Sequence, residues 1–160
     1  MGKALNCAKE AYEAGEFPVG SVLVYDETVI AEGARTGTTG HLANETDHAE
    51  MIVLRELALM GHDLDRSRMA LFSTLEPCLM CFGAILLSRI GQVVYAYEDV
   101  MGGGTGCDLT KLTPLYADQK ISIVPHILRE KSLVLFKDYF QDSKNFYWQG
   151  SFLAQYTLSQ

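Results

Sequence analysis

The sequence has no hydrophobic run long enough to cross a bilayer. Its longest strongly apolar stretch, Phe82 to Leu87, falls far short of the roughly 20 residues a spanning helix needs. The opening residues Met1 to Asn6 form no apolar leader, and Glu10 and Glu13 follow closely. A soluble, cytoplasmic protein with no membrane partner is therefore expected. Cysteine is scarce, with four in 160 residues. Without a secretion signal, these argue against a disulfide framework and toward metal binding or catalysis. There is no internal repeat, no low-complexity tract and no linker rich in proline and serine. Positive charge is also short: 13 Lys and Arg against 20 Asp and Glu, a net charge of −7. The imbalance lies in residues 1–65, which hold 12 acidic and 4 basic side chains, whereas residues 145–160 hold no charge at all. A net-acidic chain repels phosphate backbones on average, so nucleic acid is not the first partner to expect.

What is present fits one ordinary domain. The chain is 48% hydrophobic and 21% charged, and at this length it buries roughly two thirds of its unfolded surface. Apolar residues at Ala4, Leu5, Ala8, Ala11 and Tyr12 have helical spacing, and Gly15 suits the stop. Val19–Tyr25 and Thr28–Glu32, separated by Asp26-Glu27, predict a β-hairpin. Gly33 to Asn44 reads as a loop. Helices are then predicted at Ala49–Met60, Pro77–Ser88, Leu109–Tyr116 and Glu130–Tyr139. They alternate with strands at Met69–Thr74, Val93–Tyr97 and Ile121–Val124. This order predicts a three-layer α/β/α domain around a mixed sheet. It places the domain at residues 1–144. Residues 145–160 form an uncharged aromatic segment that packs on the domain, on a partner copy or over the active site. The glycine-rich run Met101–Gly106 lacks the lysine and spacing of a phosphate loop and reads as a flexible connection.

Two short segments carry chemistry: His48-Ala49-Glu50 and Pro77-Cys78-Leu79-Met80-Cys81. Each stands at a predicted helix N-terminus. Cys78 and Cys81 are three residues apart, which puts both sulfurs on one helix face. Pro77 suits a first helical position, and the free N–H groups of that turn favour thiolates. His48 as neutral imidazole would complete two thiolates and one nitrogen around zinc, leaving a fourth position open, as in a catalytic site. Glu50 is placed to act on a zinc-activated water, taking its proton and passing it to a substrate nitrogen. Taken alone, the cysteine pair also fits a zinc knuckle or a redox couple. A structural site would need a fourth ligand, for which Cys7, Cys107, His41, His62 and His126 are candidates.

The pattern H-x-E followed by P-C-x-x-C resembles the zinc-dependent cytidine deaminase superfamily. Thr74-Leu75-Glu76-Pro77-Cys78-Leu79-Met80-Cys81-Phe82-Gly83-Ala84-Ile85, with Ser88-Arg89-Ile90 after it, resembles the branch of tRNA-specific adenosine deaminase, guanine deaminase and fungal cytosine deaminase. Pro18–Val24 and Val29–Gly33 extend the likeness, which covers roughly Ala4 to Phe140. It implies a cytidine deaminase-like five-stranded sheet, hydrolytic release of ammonia from an amino-bearing ring carbon, and a homodimer. It also implies His48, Cys78 and Cys81 as ligands of Zn²⁺, Glu50 as proton shuttle, and the Ala49 N–H as a contact to the substrate ring.

The chain departs from that branch around the substrate. Family members commonly carry a base-contacting asparagine soon after the Gly33 position; here Arg35 stands there, and Asn44 is a second candidate for the role. Glu45-Thr46-Asp47 replaces the usual proline before the histidine, and the basic tail of the tRNA enzyme is missing. A free nucleobase, nucleoside or related heterocycle is thus the expected substrate, with tRNA adenosine the alternative. A non-catalytic zinc subunit is disfavoured because Glu50 is intact.

Overall fold

The computed structural model describes residues 1–39, 44–61 and 63–160. Helix α1 (Gly2–Glu13) precedes a hairpin of β1 (Gly20–Tyr25) and β2 (Thr28–Ala34). Then come α2 (Ala49–Leu59), β3 (Met69–Leu75), α3 (Leu79–Leu87), β4 (Gln92–Tyr97) and α4 (Pro114–Ala117). Strand β5 (Ser122–Val124), α5 (Arg129–Gln141) and α6 (Phe152–Ser159) complete the chain. The strands lie in the order β2-β1-β3-β4-β5. Strand β1 is antiparallel to both β2 and β3, whereas β3, β4 and β5 run parallel. This is the expected three-layer arrangement on a five-stranded mixed sheet.

The two faces follow from the alternation of side chains along each strand. Leu23, Leu71 and Val93 meet Val53, Leu54 and Leu57 of α2 and Ile85 of α3. Their neighbours turn the other way, and Val22 packs on Ala4 and Cys7 of α1. At the strand ends, Leu75 and Tyr97 join Leu133, Phe136, Tyr139 and Phe140 of α5. Gly20 makes the α1 contact possible, because a Cβ there would lie 2.2 Å from the Ala4 carbonyl oxygen. The hairpin turns at Asp26 and Glu27 with φ of 47° and 64°, a left-handed pair whose twist matches the flanking strands.

Three differences from the sequence expectation have physical causes. The helix expected over Leu109–Tyr116 breaks into a 3₁₀ turn at Leu109–Lys111 and the short α4. Pro114 lacks an N–H and holds Thr113 extended, at ψ 157°. Helix α6 lies in a stretch where no helix was expected. Only Leu153, Ala154 and Thr157 of it are buried, too few to give a visible period. Those residues pack on the α5 cluster, and the Tyr97 and Thr157 hydroxyls lie 3.0 Å apart. The run Met101–Gly106 is not a loose connection but is closed against the start of α3. Among the described residues, no helix is long and apolar enough to cross a membrane.

The aromatic side chains of α5 carry much of this packing. Phe136 is fully buried between Phe17, Tyr97 and Phe140. Phe136→Ala is expected to cost about 3–5 kcal/mol, lowering Tm by roughly 6–20 °C for a chain of this length. Val134→Ala, on the exposed side of the same helix, should stay within about 0.5 kcal/mol. Calorimetry of the two variants checks the contrast.

Candidate active site

Two helix starts meet at the end of the sheet. His48 is the non-helical residue capping α2, with φ −66° and ψ 149°. Its extended backbone lets residues 48 and 50 face the same side. Cys78 caps α3 in the same way, with φ −66° and ψ 170°. Pro77 therefore stands outside the helix rather than at its first position. The Pro77 carbonyl accepts the Gly104 N–H at 2.8 Å, and Cys78 makes a bridge to Gly103. Cys81 lies in the first turn of α3 and is fully buried.

The donor atoms of His48, Cys78 and Cys81 all lie within 4.8 Å of one another. His48 Nδ1 is 3.6 Å from the Cys78 sulfur and 3.5 Å from the Cys81 sulfur. A tetrahedral zinc with Zn–S of about 2.3 Å and Zn–N of about 2.0–2.1 Å separates such donors by roughly 3.6 Å. The donor set and its spacing fit zinc. The hydrogen bond from the Cys81 thiol, together with His48, pulls Cys78 down to about 4 against the opposing effect of burial. The same bond, with burial and Glu50, pushes Cys81 well up. The pairing favours the thiolate form, the form in which cysteine binds zinc. Burial opposes charge on His48, but its hydrogen bond to Cys78 and the nearby Glu50 raise its pKa overall.

Glu50 is buried in the first turn of α2. Burial raises its pKa, partly offset by hydrogen bonding that includes Ser73. The Ser73 hydroxyl, on β3, donates to Glu50 Oε1 at 2.8 Å, and the Cys81 sulfur lies 3.7 Å from Oε2. A carboxyl held in this way is placed to take and return a proton. Ala49, also buried, has its N–H in the first turn, where no helical carbonyl is available to it.

These groups open onto a cavity of about 170 Å³, whose lining includes His48, Glu50, Cys78, Arg35, Tyr147 and Trp148. That is below the roughly 300–1,000 Å³ of sites for drug-sized ligands and suits a single ring system. Of the two residues proposed for the missing asparagine, the structure brings only Arg35 to the wall. Asn44 is not part of the lining. Its Oδ1 accepts from the Thr46 and Asp47 N–H groups at 2.9 and 3.2 Å, closing the turn ahead of His48. The buried Arg35 guanidinium donates to the Thr36 and Asn44 carbonyls at 2.8 and 2.7 Å and lies 3.8 Å from Glu45. Cys7 is buried beside Glu32 (3.8 Å), Cys107 is exposed, and His126 faces Glu98. None of the three reaches the triad. His41 and His62 lie outside the described residues.

Sequence reasoning missed several residues. Ser73 gave no signal beyond its place on a strand. Glu76 and Asp99 also line the cavity. The Glu76 carboxylate accepts the N–H groups of Asp99 and Thr105, both at 3.2 Å, and Asp99 accepts those of Met101 and Gly102 at 3.0 and 2.9 Å. These bonds close the glycine-rich run. Glu76 sits inside the quoted motif, two residues before Cys78, and that proximity was the available clue.

Comparison with known proteins bears directly on this site. Residues 1–97 match the cytidine and deoxycytidylate deaminase zinc-binding region. The chain belongs to this deaminase family. It is 33% identical over 147 residues to the tRNA-specific adenosine deaminase of Bacillus subtilis (strain 168), covering 89% of this chain and 87% of that one. A solved structure from a study of A-to-I editing by tRNA:A34 deaminases at the wobble position superposes with a TM-score of 0.64 at 33% identity. That match covers 78% of this chain and 95% of the other. The guanine deaminase of Bacillus subtilis superposes with a TM-score of 0.52 at 38% identity over 61% of each chain. The protein is thus a zinc-dependent hydrolase acting on C–N bonds.

The closed glycine run predicts how the cysteine side of the deaminase will respond. A Cβ on Gly104 would lie 2.7 Å from Leu79 Cα and 2.8 Å from Leu79 N, whereas one on Gly106 would meet nothing within 4 Å. Gly104→Ala should therefore shift the Cys78–Leu79 backbone and weaken zinc binding about tenfold or more, the scale of losing a supporting partner at a metal site. Gly106→Ala should not. Competition against a chromophoric chelator measures both, and equal losses would show that the Leu79 contact is not the cause.

Proposed function

We propose that this deaminase converts adenosine to inosine in the anticodon loop of tRNA. The observation that carries the proposal is the likeness to tRNA-specific adenosine deaminases along about nine tenths of the chain. This reverses the preference drawn from charge, which favoured a free heterocycle. Net charge reports the average field, whereas recognition of a splayed-out base is local. Arg66 and Arg89 line one hollow, but it lies at the start of β3 and β4, the opposite end of these strands from the zinc donors. Other cations are paired, Arg68 with Asp26 and Arg129 with Glu98.

In this reading His48 Nδ1 and the two sulfurs hold zinc. Bound zinc supplies Lewis acidity, making a hydrolytic nucleophile available at neutral pH. Glu50 moves the protons. Ser73 fixes Oε1, so Oε2 takes the proton of the attacking water. Glu50 delivers that proton to the ring nitrogen, then takes the remaining hydroxyl proton of the adduct and passes it to the departing amine as the exocyclic C–N bond breaks and ammonia leaves. The Ala49 N–H holds the ring edge, and Arg35 offers its guanidinium to the acceptor atoms of the base. The exposed Leu79, Met80 and Leu87 of α3 support a homodimer, and the substrate supports a cytoplasmic location.

A second reading, deamination of a free nucleobase or small heterocycle, is favoured by Arg35 on the cavity wall and by the uncharged segment 145–160. A paired assay separates the two: inosine formation in an anticodon stem-loop against ammonia release from free bases and nucleosides. Salt-sensitive turnover of the stem-loop alone is expected. Turnover of free heterocycles alone would overturn the proposal.

Glu50→Gln should retain one zinc per chain while turnover falls by about 10²–10⁴-fold or more. Elemental analysis and single-turnover rates check the two halves. Full activity of a zinc-loaded variant would remove Glu50 from the mechanism.

A further inference from the structure

We propose that Tyr147 is a substrate-positioning and specificity-determining residue, with Trp148 beside it, forming an aromatic wall that holds the base. The inference rests on the reading that a base enters this cavity, and it holds for a flipped-out or a free base. Both side chains line the cavity with His48 and Glu50. They belong to the uncharged segment beyond the family match, which ends at residue 97.

This segment is pinned rather than loose. Asn145 Nδ2 donates to the Tyr139 carbonyl at 2.9 Å, and Gln149 Nε2 donates to the Phe140 carbonyl at 3.2 Å. The Tyr147 ring packs edge-on against Phe17 at 5.4 Å and Trp148 at 5.6 Å, and the Arg35 guanidinium lies 5.7 Å from its centre. Phe17 is itself buried against Phe136 and Tyr139, so the wall is an extension of the hydrophobic core. The Tyr147 hydroxyl donates to Glu45 Oε2 at 2.7 Å. Glu45 lies three residues before His48 and faces Arg35, so the wall is tied to the segment carrying the first zinc donor.

Trp148 has a φ of +60°, a left-handed backbone that bulky residues rarely adopt and that is found preferentially at functional sites. It keeps an indole, 41% exposed, at the mouth of the cavity rather than in the core. Aromatic rings flanking a single-ring cavity bind bases by stacking, and this needs no charge. That gives the uncharged segment a use that a basic tail would not supply.

Trp148 is the only tryptophan of the chain, so its fluorescence reports base binding directly. The probes are a zinc-loaded protein with an inosine-containing anticodon stem-loop, the same stem-loop abasic at that position, and free adenine, guanine and cytosine. Base-dependent quenching is expected. Tyr147→Ala should raise KM and Kd roughly 5- to 150-fold, the scale of one lost stack, with kcat changed only a few-fold. Tyr147→Phe, which keeps the ring, should recover most of the lost affinity. A purely structural role would instead lower zinc content and Tm without the KM-against-kcat split.

Stem-loop turnover with no quenching and no KM response to Tyr147→Ala would refute the wall and leave the tRNA reading standing. Quenching by free bases, lost in Tyr147→Ala, with no stem-loop turnover would refute the tRNA reading and leave the wall standing. Silence of Trp148 toward every probe would refute the wall.

Discussion

The site depends on one constraint: two helices must begin side by side, each with an extended residue at its cap. His48 and Cys78 share nearly the same backbone conformation, and their donor atoms can meet only because neither has entered its helix. The sheet provides this. Strand β3 ends at Leu75, and three residues later the chain reaches Cys78, with the Cys78–Gly103 bridge and the Gly104–Pro77 hydrogen bond holding that stretch straight. A helix one turn longer at either end would carry a donor away from the triad. The same strand places Ser73 under Glu50, so a single element positions two ligands and orients the carboxylate.

The acidity of the site follows from that arrangement. Glu45, Glu50, Glu76 and Asp99 all line the cavity, with Arg35 the one cation among the described lining residues. Two of the carboxylates are already engaged as acceptors of backbone N–H groups in the glycine run. Their negative charge acts locally, first as structure. Burial holds the pKa of Asp99 up. A neutral base meets little repulsion in such a pocket, whereas a phosphate would meet much. Any phosphate of a substrate would therefore lie outside the cavity.

The fold was legible because its signals are local. The alternation of Val22 and Leu23, the helical spacing of Ala4, Ala8 and Ala11, and the glycines after α1 and α2 each act within a few residues. The zinc donors were legible for a similar reason: residue type and spacing constrain them tightly. Asn44 shows the opposite case. An asparagine near a substrate loop can serve a base or its own backbone, and only the three-dimensional turn shows that Oδ1 serves Thr46 and Asp47. Helix α6 was hidden because it buries one narrow stripe, and exposed Phe152 obscures the period. The closed glycine run was hidden because its partners, Glu76 and Thr105, are 29 residues apart.

These differences in legibility separate what the fold fixes from what it leaves free. The triad, Glu50 and Ser73 are held by β3 and two helix caps, elements that cannot shift without losing the core. Arg35, Glu45 and Tyr147 are held by loops and by one another: a cation over a ring, a hydroxyl on a carboxylate, a carboxylate facing the cation. Changing one member acts first on the other two. The chemistry of C–N hydrolysis can therefore stay constant while the ring it acts on changes. Arg35, Glu45 and Tyr147 thus act as one linked group, in which Glu45 faces the Arg35 charge and Tyr147 holds Glu45 in position.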